Sequence, residues 1–541
     1  MLQFMWHHLH NCKEYVVNKA GVVCVSHIAK VYHMGHGYET VTEFLFLIYI
    51  AALLFLFLYG CMQIHLVYKY MQHKKGVTPK RQHQLNEYPF VTVQLPVYNE
   101  SLVIERLMDA VAQFDYPATR FEVQVLDDSV DDTTTIIAAK VAEYKAQGLQ
   151  FQHVRRENRR GYKAGALQHG LELARGEFIS LFDADFIPPK DFLRRTLPFF
   201  TDQQTGMVQT RWSHLNKHYS LLTHFQAFLL DSHFSIEQMG RNSAGYFINF
   251  SGTGGVWRKA CMLDAGGWDS DTLTEDFDIS YRAQLKGWKF TYLEDVCVPA
   301  ELPPVMSALK TQQYRWIKGN AETARKHLLA VINSNIPFTT KLSACFHLLV
   351  GLVFVCVFIS SFVSIPLLFL KPYVPQLNTW FQLASFSIIS LFCLGIFHYV
   401  STVHTGYSSE GNRKYFYKTF PLYLMFSMGI SLNNAIAVAE GLLGIKSTFI
   451  RTPKFNVSDN GSAGIIKTEP AKKSRLLPFE IILTTYYLVA GTSIAFYNHD
   501  FSMWPYHLML ASGFGLICYF TLKEENIFSR EQPGVDGGSI N

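Results

Sequence analysis

The chain has 541 residues, a formal net charge of +5, 49% hydrophobic and 17% charged residues, and a mean hydropathy of +0.08. It is too apolar for a plain soluble enzyme and too polar for a protein wholly immersed in lipid; one soluble domain joined to several membrane spans fits the average. So mild a positive charge carries no nucleic-acid signal, and nine scattered cysteines without a C-x-x-C pair support neither a disulfide framework nor a zinc site.

Residues 1–43 form a His-rich, weakly patterned extension without the order of a signal peptide, and Met34 stands just ahead of the first apolar run as an alternative start. Residues 44–67 are apolar enough to predict a transmembrane helix. The basic run MQHKKGVTPKR follows and puts the downstream side in the cytoplasm.

From residue 88 to 337 short β-rich runs alternate with helical stretches. VTVQL (91–95), FEVQVL (121–126), FQHV (151–154), FISLF (178–182) and MVQT (207–210) read as strands, with helices over 100–113, 132–147, 163–174 and 190–200. This βαβ alternation predicts an α/β domain with a mostly parallel, Rossmann-like sheet, whose ligands lie beyond the carboxyl ends of the strands.

Apolar runs return after residue 337. Residues 342–400 read as two transmembrane helices (342–370 and 380–400), and 477–521 as two more. The stretch 416–445 carries Lys418, Ser427, Asn433, Asn434 and Glu440 and reads as an interfacial or re-entrant helix. Residues 446–475 form a polar loop, and 522–541 a short cytoplasmic tail.

The chemistry-bearing motifs sit at the strand ends. PVYNE offers Tyr98 to stack on a nucleobase and Glu100 to a ribose site, or it is an ordinary strand-to-helix turn. LDDSVDD offers Asp127 and Asp128 to a nucleoside, whereas Asp131 and Asp132 read as first-turn acids favoured by the helix dipole. In FDADF, Asp183 and Asp185 lie one residue apart in a turn before Pro188, a spacing that suits Mg²⁺ or Mn²⁺ held against a diphosphate. In RRENRRGYKAGAL, Lys163 at a helix start suits a donor phosphate, while the surrounding arginines read as a solvated or headgroup-facing surface. Thr274-Glu275-Asp276 falls at a helix start, either as a cap or with Asp276 turned to a pocket. Gln312, Arg315 and Trp316 share one helical face, which suits a cleft or a membrane surface. A carboxylate, an amide, a guanidinium and an indole in one cleft suit a sugar hydroxyl attacking an activated anomeric carbon.

The ordered set PVYNE, LDDS, GYKAGAL, FDADF, TED and QQYRW resembles the processive, membrane-embedded family 2 glycosyltransferases. The wording is closest to the plant cellulose-synthase-like A and C families, makers of β-1,4-linked mannan, glucomannan and glucan backbones. The resemblance implies a cytoplasmic GT-A domain over 88–337 that takes a nucleotide-sugar, GDP-mannose or UDP-glucose, and inverts it onto a polysaccharide acceptor. It implies nucleoside contacts from Tyr98, Glu100, Asp127 and Asp128, with Lys163 near the phosphates. Asp183 and Asp185 take Mg²⁺ or Mn²⁺, Asp276 is the general base beside Glu275, and Gln312, Arg315 and Trp316 hold pyrophosphate and acceptor. Phe449, Thr452 and Lys454 resemble a gating loop of pattern F-x-V-T-x-K, with Arg451 where Val is usual. Five spans, an outside N-terminus, contact with membrane lipid and no cyclic-dinucleotide domain are expected. The alternatives are a non-processive lipid glucosyltransferase of the ceramide type and a catalytically inactive membrane scaffold.

Overall fold

Val91, Val93 and Leu95 of β1 (Val91–Val97) and Val123 and Val125 of β2 (Phe121–Asp127) have no exposed surface, and neither have the intervening Thr92, Gln94, Glu122 and Gln124. A strand covered on both faces must satisfy its polar side chains internally. The parallel register sets Thr92 opposite Glu122 and Gln94 opposite Gln124. Thr92 Oγ1 donates to Glu122 Oε1 at 2.8 Å, and Gln94 Nε2 to Gln124 Oε1 at 3.0 Å.

The computed structural model describes residues 23–76, 87–405, 409–459 and 474–530. It adds β3 (Phe151–Val154), β4 (Phe178–Leu181), β5 (Thr205–His214), β6 (Gly255–Arg258) and β7 (Lys289–Ala300). These make a seven-stranded sheet in the order β3-β2-β1-β4-β6-β5-β7. β1 to β4 run parallel, β6 lies antiparallel between β4 and β5, and β7 runs parallel to β5. The sheet is therefore mixed but mostly parallel. The five strands read from the sequence coincide with β1 to β5, the one over 178–182 running one residue past β4; β6 and β7 are additional. β6 is only four residues long behind a glycine run, and its two neighbours rather than its own composition make it a strand.

The predicted helix 190–200 is one α-helical turn, Phe192–Thr196, continued as a 3₁₀ turn, Leu197–Phe200. Pro198 lacks the N–H that a continued α-helix would use.

Beyond the sheet, five helices among the described residues are long and apolar enough to cross a membrane: Thr40–Lys75, Leu352–Tyr373, Pro375–His404, Leu477–Asn498 and Trp504–Glu525. The expected helix over 342–370 is interrupted. One helix, Phe338–Leu348, packs Ala344 and Leu348 against Phe277 and Tyr281, and a second starts at Leu352. The first piece is thus committed to the α/β domain. The stretch read as 416–445 is a bent pair, Gly411–Gly429 and Ser431–Leu443, meeting at 48°. Residues 1–22, most of the loop beyond Asp459 and the end of the tail lie outside the described residues.

Candidate active site

Four of the motifs follow parallel strands, so their side chains gather beyond the carboxyl ends of β1, β2, β3 and β4. Two helices close the opposite wall. Glu275–Leu285 brings Glu275 and Asp276 in its first turn, and Met306–Asn333 brings Gln312, Arg315 and Trp316. The long helix is tied at both ends of this stretch by ion pairs, a buried one from Lys310 Nζ to Glu480 Oε1 at 2.7 Å and a half-buried one from Lys318 Nζ to Glu440 Oε2 at 2.7 Å. The cleft between these walls has about 1230 Å³ of open space.

Tyr98, Glu100, Asp128, Lys163, Asp183, Asp185, Glu275, Asp276, Gln312, Arg315, Trp316, Phe449, Thr452 and Lys454 all line this cleft. Asp127 does not. Its carboxylate accepts from the Ser129 N–H at 2.8 Å and lies 2.8 Å from His153 Nε2. Burial alone would raise its pKa, but these bonds hold the carboxyl below the usual carboxylate range. Asp127 therefore braces the β2 turn while its neighbour Asp128 faces the cleft.

Of the arginines read as a solvated surface, Arg155 and Arg160 are exposed, but Arg156 and Arg159 turn inward to the cleft residues. Arg156 grips Asp128 through two bonds, Nε to Oδ1 at 2.7 Å and Nη2 to Oδ2 at 2.5 Å. The Arg159 guanidinium lies 3.2 Å from the Tyr98 ring centre, a cation–π contact across the expected nucleobase platform. Their partners lie on other strands, which a run of basic residues does not reveal.

With Glu100, Asp276 is one of two strongly perturbed carboxyls of the set. Burial first, and the neighbouring Glu275 charge second, push it up to about 7, against the pull of Lys163. Its Oδ1 accepts the Phe277 N–H at 2.8 Å. Its Oδ2 faces Gly252, where an added Cβ would lie 2.8 Å away. Gly252 also has φ +79°, so both conformation and space demand glycine.

Lys163 Nζ sits 2.6 Å from Asp183 Oδ1 and donates to the Gly252 carbonyl at 3.1 Å. Burial disfavours its charge, but Asp183 and Glu275 outweigh that and raise the ammonium above its ordinary range. Burial pulls the Arg315 guanidinium down, opposed by Glu275, Asp183, Asp276 and Asp185. Arg315 also caps the Phe449 ring at 4.8 Å, and Phe449 stacks on Tyr162 at 5.7 Å.

The loop that carries Phe449 is thereby inserted into the cleft. Arg451 Nη1 pairs with Glu100 Oε2 at 2.9 Å and donates to the Tyr98 carbonyl at 3.1 Å. Lys454 Nζ meets Asp185 Oδ2 at 2.8 Å. Glu301 accepts the Phe455 and Asn456 N–H groups, each at 2.9 Å. Burial pushes Glu100 up to about 8 despite Arg451 and Lys454.

Glu301, Arg159, Trp212 and Gly252 escaped the sequence reading. Trp212 follows Arg211 at the end of β5 and packs against Trp316 with ring centres 6.4 Å apart, a pairing that only tertiary contact creates.

Asp185 Oδ1 is buried without a hydrogen-bond partner, and Asp183 Oδ1 meets only an ammonium. Two carboxylates with that unmet demand fit a divalent cation. Elsewhere among the described residues, Asp269, Asp271 and Asp278 also bring ligand atoms within range of one ion. Lys326 already bridges these three, at 3.1, 2.8 and 2.9 Å.

Residues 89–319 match the family described as "Glycosyltransferase like family 2". The chain is 32% identical over 475 residues to glucomannan 4-beta-mannosyltransferase 1 of Cyamopsis tetragonoloba, spanning 83% of this chain and 86% of that one. The chain belongs to the family 2 glycosyltransferases. It is an enzyme, a hexosyltransferase with a GT-A fold. It is also 34% identical over 371 residues to glucomannan 4-beta-mannosyltransferase 1 of Oryza sativa subsp. japonica, covering 66% of this glycosyltransferase and 67% of that one. Among solved structures it is similar to the mannosyltransferase PcManGT of Pyrobaculum calidifontis in complex with GDP-Man and Mn2+. That match is at 19% identity and TM-score 0.49, over 74% of this chain and 99% of that one.

Proposed function

We propose that this glycosyltransferase moves mannosyl residues from GDP-mannose, with inversion, onto the 4-hydroxyl of a growing β-1,4-linked mannan or glucomannan chain. The observation that carries the chemistry is one cleft. In it a buried carboxyl with raised basicity, Asp276, faces two lysines, an arginine and the carboxylates of Asp183 and Asp185. The choice of sugar rests on relatives aligned over most of the chain, which are named glucomannan 4-beta-mannosyltransferases.

Asp276 takes the proton of the acceptor hydroxyl as it attacks the anomeric carbon, so no enzyme nucleophile is needed. Asp183 and Asp185 would hold Mg²⁺ or Mn²⁺, which supplies charge stabilisation to the departing diphosphate. Lys163, Lys454 and Arg315 add fixed positive charge to that leaving group. Tyr98 and Asp128 hold the nucleoside, and Trp316 with Trp212 offers aromatic faces to the acceptor sugar.

The contacts of Arg451 and Lys454 with the α/β domain support one common side of a membrane for loop and domain, and the basic run after the first span supports the cytoplasmic side. An even number of crossings then separates Asn333 from Ser447. Leu352–Tyr373 and Pro375–His404 supply two, and the bent pair Gly411–Leu443 re-enters from the cytoplasmic side. A growing chain that stays bound beside these spans between additions would make the enzyme processive and give the product a route outward.

The test is turnover by the full chain in nanodiscs, with radiolabelled GDP-mannose and UDP-glucose offered separately with Mn²⁺. GDP-mannose should yield a polymer that endo-β-1,4-mannanase degrades. Turnover of UDP-glucose alone overturns the donor assignment, and a product that extracts into organic solvent makes the acceptor a lipid.

A further inference from the structure

Gln209 is buried where the ladder between β5 and β6 ends; the last pair of that ladder is Gln209 with Gly255. The residues before Gly255 leave the sheet, with Gly252 and Gly254 in left-handed backbone at φ +79° and +65°. Left-handed residues break the extended path of a strand, and the Gln209 carboxamide takes over part of the pairing the ladder would supply. Its Oε1 accepts the Ser251 N–H at 3.0 Å. Its Nε2 donates to the Thr210, Thr253 and Gly254 carbonyls at 2.9, 3.1 and 3.1 Å. One side chain thereby sets the path of residues 251–254.

That short segment touches each working part of the cleft. Thr253 Oγ1 accepts the Asp183 N–H at 2.9 Å. The Gly252 carbonyl accepts from Lys163 at 3.1 Å, and the Gly252 backbone packs against Asp276 Oδ2. The Thr253 carbonyl accepts the Trp212 indole N–H at 3.4 Å. Just before it, the Phe250 N–H donates to Ser280 Oγ at 2.9 Å, and that hydroxyl donates to the Asp276 carbonyl at 2.6 Å. The donor side, the base and the acceptor platform therefore meet at one backbone segment. The amide that holds this segment does not itself line the cleft.

We propose that Gln209 is a positioning residue of the transfer reaction: through residues 251–254 it fixes Asp276, Asp183 and Trp212 relative to one another, so that the acceptor hydroxyl rather than water meets the anomeric carbon. The inference rests on the reading of this cleft as a mannosyl-transfer site. A misplacement of about 1 Å at a reacting centre costs about 10²-fold. Water needs no orientation by an indole, so a loosened segment penalises transfer more than hydrolysis.

The experiment uses the full chain in nanodiscs with Mn²⁺ and GDP-mannose labelled in the sugar, and counts working sites by GDP binding. Polymer and free mannose are measured separately; hydrolysis consumes water and releases mannose and GDP. Gln209→Met and Gln209→Glu should lower polymer formation per GDP-binding site by about 10²-fold and raise the ratio of free mannose to polymer at least about tenfold. GDP affinity should stay within about threefold of wild type, because Tyr98 and Asp128 stand on other strands. Thr253→Val, which keeps the side chain's shape and removes the bond to the Asp183 N–H, should move the ratio in the same direction. Thr253→Ser, which keeps the hydroxyl, should recover most of that loss. Where a Gln209 variant binds no GDP, the Thr253 pair decides by the same ratio. A merely structural role lowers polymer and free mannose together, so a wild-type ratio in these variants refutes the positioning role while wild-type polymer leaves the functional reading standing. If the wild-type protein neither polymerises nor hydrolyses GDP-mannose, the functional reading fails and this inference falls with it.

Discussion

Asp276→Asn isolates the proton transfer from the binding of the donor. The substitution keeps shape, and the amide oxygen can still accept the Phe277 N–H that now lies 2.8 Å from Oδ1. What disappears is a basic oxygen facing the cleft at Gly252. A positioned general base contributes roughly 10²–10⁴-fold, so kcat should fall by about that factor. Nucleotide affinity should stay within about threefold of wild type or tighten, because removing a negative charge beside a diphosphate relieves repulsion. The pH dependence gives an independent reading. Burial and Glu275 raise the Asp276 pKa to about 7; below that value the carboxyl holds its proton and cannot accept another. Wild-type turnover should therefore rise with pH through neutrality and level off above it, whereas the residual rate of the Asn variant should lack that rise. Steady-state incorporation of labelled sugar across about pH 5.5 to 8.5 (roughly 1.5 units either side of the inflection) and GDP binding by calorimetry give both quantities. Residual polymerisation within tenfold of wild type, or an unchanged pH profile, would falsify the assignment.

The other predictions concern the remaining walls of the cleft. Asp183→Ala and Asp185→Ala should each abolish the Mn²⁺-dependent part of nucleotide binding; affinity indifferent to EDTA and to both substitutions removes these acids from the cation's coordination. Trp316→Ala should shorten the product more than it weakens GDP binding, while Trp316→Phe keeps a ring and part of the activity; normal chain length in the Ala variant would move the acceptor platform elsewhere. Arg315→Lys should lose more activity than charge conservation suggests, since the planar fork at the diphosphate and the face over Phe449 are both lost, and activity near wild type would show that charge alone suffices. Gly252→Ala should cost about 1–2 kcal/mol in stability from its left-handed backbone and far more in activity, because the new Cβ meets Asp276 Oδ2 at 2.8 Å. Chemical denaturation beside turnover separates the two losses, and a variant that retains full turnover would place the reacting carboxylate on another face.

The chain itself determined the class of fold and the identity of most cleft residues, because both are written in local pattern. Short β-rich runs alternating with helices dictate a mostly parallel sheet, and in such a sheet polar residues after the strands have nowhere to gather except one edge. Tyr98, Asp128, Asp183, Asp185 and Lys163 were legible for that reason, and Asp276 with Arg315 and Trp316 from helix starts and helical spacing. Partnership was not legible, because it depends on residues distant in the chain. Successive side chains of a strand point to opposite faces, so Asp127 and Asp128 look alike in sequence. Only the position of His153 on the neighbouring strand decides that the first braces the turn and the second faces the cleft. The same holds for Arg156 and Arg159, which a basic run presents as surface and the fold turns inward onto Asp128 and Tyr98. It holds for β6, a strand by virtue of its neighbours, and for the break before Leu352, where half of an apolar run is drawn against Phe277 and Tyr281. The inserted loop is the fullest case. Its residues announce their chemistry, but that Lys454 rests on Asp185 and Arg451 on Glu100 follows from a chain that leaves the sheet, passes through apolar helices and returns. No local pattern encodes that return.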